Sequence, residues 1–177
     1  MKIVTVWDPF IRLFHWSVAL LFILNFTVIE DGSALHDYVG YAVIALVSAR
    51  LIWGFVGTRY ARFDAFTPSR AQVVDHIGGL LKGEKGIHLS HNPLGALMVF
   101  NLLGALILLC FSGVAISQNV GAGSIAALIE GVHEFLANYV MFCVGLHVLG
   151  VFLDAGRTKV NLIGAMITGR KSVPGDH

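Results

Sequence analysis

Residues 131–152 read GVHEFLANYVMFCVGLHVLGVF. The run is apolar over about the 20 residues that a helix needs to cross a ~30 Å hydrocarbon layer. Two histidines interrupt it, His133 and His147, fourteen residues apart. In a helix, fourteen residues rise ~21 Å and return to within about 40° of the starting direction. One helix therefore offers two imidazoles on one face, one near each edge of the layer. Ionisable groups at membrane depth are costly and read as functional by default. A single histidine there can be a satisfied hydrogen bond between helices. Two on one stripe need partners elsewhere in the chain.

The whole composition fits a membrane. Of 177 residues, 56% are hydrophobic and 13% charged, with a mean hydropathy of +0.76. A soluble domain is about 45–50% apolar and about 25% charged. Four apolar runs are expected to span, at about 13–29, 38–56, 94–116 and 131–152, giving an all-α membrane protein. Lys2 and Arg12 precede the first run. No small-residue cleavage pattern follows it, so it reads as a retained span and not as a signal peptide. Cys110 and Cys143 lie in apolar runs without a CxxC or CxxCH pattern, and they read as packing residues. Nucleic-acid binding has no support, because the basic residues are few and sit where membrane topology wants them.

Those basic residues set the expected orientation. They occur in the N-terminal lead, in the long stretch 57–92 and in the tail from residue 154, while 30–37 and 117–130 contain no Lys or Arg. The positive-inside rule puts both termini and the long loop in the cytoplasm. Within that loop, TPSRAQVVDHIGGLLKG predicts a short amphipathic helix on the membrane face. Thr67 is its expected cap, and Pro68 its first residue. A plain surface loop is the alternative.

This topology pairs the histidines by depth. His15 lies near the cytoplasmic side of the first span, and His36 at the outer mouth of the second. His133 is then near the outer face and His147 near the inner one. The expected pairs are His36 with His133 and His15 with His147. A zinc site wants a third ligand. Glu134 adjoins His133 but points about 100° away on the helix, and the inner pair has no carboxylate. Two neutral imidazoles from opposite sides suit iron in a planar porphyrin, with both axial positions closed. Arg50 follows His36 by the same fourteen residues, which places it at the depth of the inner pair. It reads either as the partner of a haem propionate or as a snorkelling residue. His91 reads first as a solvated loop histidine, with lining a quinone pocket or relaying protons as the alternative. His76, His88 and His177 read as solvated. Glu30, Asp31, Asp37 and Glu134 give the outer face an acidic character that would attract a basic soluble partner.

Several stretches resemble the bacterial cytochrome b561 family, which overlaps the b-type cytochrome subunits of nickel–iron hydrogenases. They are WDPFIRLFHW around His15, LHDYVGY at His36, ARLIWGFVGTRYARF after it, SHNPLGALM, VHEFLANYVMFCVGLHVLG and NLIGAMITGRK. The resemblance covers nearly the whole chain as one transmembrane domain, 1–177. It implies a four-helix bundle in the bacterial inner membrane that holds two haem b groups on His15/His147 and His36/His133. It also implies traffic between ubiquinone or menaquinone and a periplasmic redox partner, such as a c-type cytochrome. Some family members resemble superoxide:ubiquinone oxidoreductases. Others resemble haem-bearing anchor subunits of a larger dehydrogenase or hydrogenase.

Overall fold

A computed structural model describes residues 2–84, 86 and 88–173. His177 and Lys85 lie outside the described residues. The chain runs β1 (Lys2–Thr5), α1 (Pro9–Thr27), α2 (Ala34–Val56), a 3-10 turn (Phe63–Ala65), α3 (Arg70–Leu81), α4 (Pro93–Ser117), α5 (Ser124–Thr158), α6 (Leu162–Thr168) and β2 (Arg170–Val173). α1, α2, α4 and α5 are each long and apolar enough to cross a membrane.

Local chemistry sets where the helices begin. Asp8 accepts from the Ile11 amide at 2.9 Å, and Pro9 occupies the first turn, where its missing N–H costs nothing. Ser33 caps α2 through the His36 amide. Asn92 caps α4 through the Gly95 amide at 2.7 Å, with Pro93 following it. In each case the helix starts ahead of the apolar run, because caps and not hydropathy define the first turn. α3 is a helix as expected, but its cap is Ser69 and not Thr67. Ser69 and Gln72 form a reciprocal capping box, and the helix starts at Arg70, leaving Pro68 outside.

α5 departs most from the expected span 131–152. Its 35 residues measure ~52 Å, so both ends project beyond a ~30 Å hydrocarbon layer. Polar residues there, Ser124, Glu130, Asp154 and Arg157, lower hydropathy without breaking a helix. The basic tail also carries secondary structure. It folds into α6, closed by Gly169 at φ 80°, and into β2, which pairs antiparallel with β1. A Cβ at Gly169 would lie 2.5 Å from the Trp7 carbonyl, so this turn needs glycine.

The helices pack chiefly as α4 on α5, α2 on α4 and α1 on α2. No packing of comparable extent joins α5 to α1 or α2 among the described residues. The buried core is Val18, Phe22, Val43, Val47, Leu103, Ala105, Leu106 and Val140. Most other large apolar side chains on the spans are exposed, as a lipid-facing surface requires.

Candidate functional site

The four histidines meet in two pairs across the bundle. The rings of His15 on α1 and His147 on α5 have centroids 6.2 Å apart, and those of His36 on α2 and His133 on α5 are 6.3 Å apart. These are the pairings expected from depth. A metal–imidazole bond of ~2 Å and a ring radius of ~1.1 Å on each side add to ~6.2 Å between centroids. Both pairs thus have the spacing of imidazoles that share one metal between them. Both pairs join α5 to helices against which it has no extensive packing among the described residues. Among the described residues, no group of three or more His, Cys, Asp or Glu side chains comes together to hold a metal ion.

Unsatisfied polar atoms gather at the same place. Buried side-chain atoms without a hydrogen-bond partner include His15 Nδ1, His36 Nδ1 and Arg50 Nη1. Buried polar groups are normally paired, and each exception needs a reason. His36 Nδ1 has the Asp31 carboxylate 3.7 Å away. His133 differs, because its Nδ1 lies 2.9 Å from the Ser112 hydroxyl on α4. Ser112 was not singled out from the sequence, since a serine in an apolar span reads as ordinary helix packing.

Arg50 is buried at 5% exposure, which removes the snorkelling alternative. Its Nη2 donates to the Ala61 carbonyl at 3.0 Å, and its guanidinium lies 4.7 Å from the centre of the Phe63 ring. Its Nη1 is buried without a hydrogen-bond partner.

His91 is not the solvated loop residue that the sequence favours. Its ring packs between Trp7 and Phe66, with centroids 4.8 Å from each. It lies within electrostatic reach of Arg50, Lys171, His147 and His15. Burial first, and then the positive charges of Arg50 and Lys171, push its pKa down to about 3. Two adjoining cavities of about 410 and 390 Å³ share His88, His91 and Ala65 in their walls. His76 and His88 are half-buried, and their rings meet edge to face at 5.4 Å. Lys171 on β2 is buried and donates to the His88 and Leu89 carbonyls, tying the tail to the long loop. Burial holds its ammonium pKa below the usual lysine value, against the opposing effect of Asp154.

A family model described as prokaryotic cytochrome b561 matches residues 6–169. Neither the comparison with curated proteins nor that with solved structures yields a match.

Proposed function

The chain belongs to the prokaryotic cytochrome b561 family, and we propose that it relays electrons through two haem b groups between the quinone pool and a periplasmic redox partner. Membership itself makes it a multi-pass bacterial membrane protein that binds b-type haem and serves transmembrane electron transfer. The number of haems, their ligands and the partners are the finer reading. The observation that carries this reading is the pair of imidazole couples at 6.2 and 6.3 Å, at two depths of α5.

In this reading His15 and His147 hold the inner haem, and His36 and His133 the outer one. A haem held by both imidazoles of a pair would supply one-electron transfer there and not O₂ binding. The protein's part is to hold, orient and insulate. α5 supplies one ligand to each site, so its ~21 Å rise between His133 and His147 sets their separation. Val140, 1% exposed, sits midway between them. With Phe22 and Val43 it fills the core between the sites, excluding water while electrons cross. Arg50 Nη1 is the proposed partner of an inner propionate. The cleft walled by His88 and His91, beside the inner pair, is the proposed place for a quinone headgroup. Glu30, Asp31, Asp37 and Glu134 at the other end favour a basic soluble partner, such as a c-type cytochrome.

The test is a reduced-minus-oxidised spectrum of the purified protein and of His133→Ala and His147→Ala. Each substitution is expected to deplete a different one of two b-type signals. Retention of both low-spin signals in either variant would sink the assignment.

A further inference from the structure

We propose that Ser112 is the positioning residue of the outer site: its hydroxyl oxygen accepts a hydrogen bond from Nδ1–H of His133, fixes that ring, and lowers the potential of the iron it would hold. The inference rests on the reading that His133 is a haem ligand. The hydroxyl lies 2.9 Å from His133 Nδ1 and donates to the Leu109 carbonyl, also at 2.9 Å. A serine has one proton and two lone pairs. We assign that proton to the Leu109 carbonyl, which can only accept, so the contact to His133 runs from Nδ1–H to the hydroxyl oxygen. Nδ1 then carries the proton, and the lone pair that a metal needs is left on Nε2.

The adjoining residue seats the same ring. A Cβ at Gly113 would fall 3.1 Å from His133 Cε1, closer than most side-chain contacts allow. Neighbouring positions of α4 therefore set the ring, one by a hydrogen bond and one by leaving room. The other outer histidine has no such hydrogen bond: His36 Nδ1 is buried without a partner in bonding distance, and the nearest carboxylate, Asp31, stands 3.7 Å away. At the inner site His15 Nδ1 is likewise unpartnered. A ligand imidazole that donates its second N–H becomes more basic. That basicity favours ferric over ferrous iron, so the hydrogen bond lowers the midpoint potential.

The experiment uses the haem-loaded, full-length protein in detergent. Each haem is titrated optically, and the ferric low-spin electron paramagnetic resonance signals are recorded. The variants are Ser112→Val and Ser112→Thr, which share a shape and differ in the hydroxyl. In Ser112→Val the haem depleted by His133→Ala should rise in potential and shift its resonance. A tenfold selective loss of ferric affinity corresponds to ~59 mV for one electron. Ser112→Thr should stay near the wild type, and the other haem should not move in either variant. Equal behaviour of the Val and Thr variants would overturn the proposal, because packing alone would then explain the site. An unmoved outer potential in Ser112→Val, with His133→Ala still depleting one haem, would overturn it while leaving the ligation intact. Retention of both haems in His133→Ala would instead remove the ligation on which it rests.

Discussion

Asp8 and His91 respond to acid in different windows. Asp8 caps the Ile11 amide and also accepts from Trp53 Nε1 at 3.0 Å and from the Thr58 hydroxyl. Burial alone would raise its carboxyl pKa. The hydrogen bonds from Thr58, Ile11, Trp53 and Phe10 outweigh that and hold it below 3.8. A depressed acid stabilises the fold above its unfolded pKa and loses that contribution as pH falls through the folded value. Asp8 thus acts only below about pH 3.8. His91 is also depressed, from 6.5 to about 3. Its neutral form is favoured in the fold, so its contribution is complete above pH 6.5 and is lost progressively towards pH 3. Between pH 7 and 5, His91 titrates against the fold and Asp8 does not. The expected outcome is that thermal stability in detergent falls over this interval, and falls less steeply in His91→Leu. Equal slopes would show that His91 is not held neutral. The sequence could not show this, because Trp7 and Phe66 reach His91 from distant parts of the chain. The fourteen-residue spacing of His133 and His147 was legible, because one helix carries both residues.

At the scale of the element, α2 shows what one small residue permits. Gly54 is buried, and a Cβ placed on it would meet the Phe63 ring at 2.0 Å. Phe63 cannot simply step aside, since it packs against Phe55, Phe66 and Phe100 and covers the Arg50 guanidinium. Gly54→Ala should therefore destabilise the protein by ~1–3 kcal/mol, the usual cost of overpacking. It should also loosen the turn that holds Arg50 through the Ala61 carbonyl. A lowered unfolding midpoint in Gly54→Ala, with Gly40→Ala unchanged, would bear this out. No neighbouring atom lies within 4 Å of a Cβ at Gly40, so equal effects would refute it. The four spans were legible because each is a long apolar run. Their ends were not, because Asp8, Ser33 and Asn92 cap them from outside those runs. α6 and the two four-residue strands left no periodic signal. They exist through tertiary bonds, such as Arg12 Nη1 to the Ile167 carbonyl at 2.7 Å.

The whole molecule has one tied end and one plain end. β1 pairs with β2, Lys171 holds the long loop, and Arg157 Nη2 donates to the Leu80 and Glu84 carbonyls near the end of α3. The lead, the long loop and the tail thus form one cap, and these segments with Arg50 carry every Lys and Arg of the sequence. The opposite end, between α1 and α2 and between α4 and α5, has only acidic charges. Taking such basic segments across a membrane is disfavoured during insertion, so the cap is expected in the cytoplasm. Exposed positions at the two ends test this directly. A cysteine at Ala122, between α4 and α5, should react with a membrane-impermeant maleimide in intact spheroplasts. A cysteine at Thr67, in the cap, should react only after lysis. Cys143 is buried, and a wild-type control removes any background from it and from Cys110. The reverse labelling pattern would invert the molecule. The cleft beside His91 would then face the periplasm, and the acidic end would meet cytoplasmic partners instead of a periplasmic cytochrome.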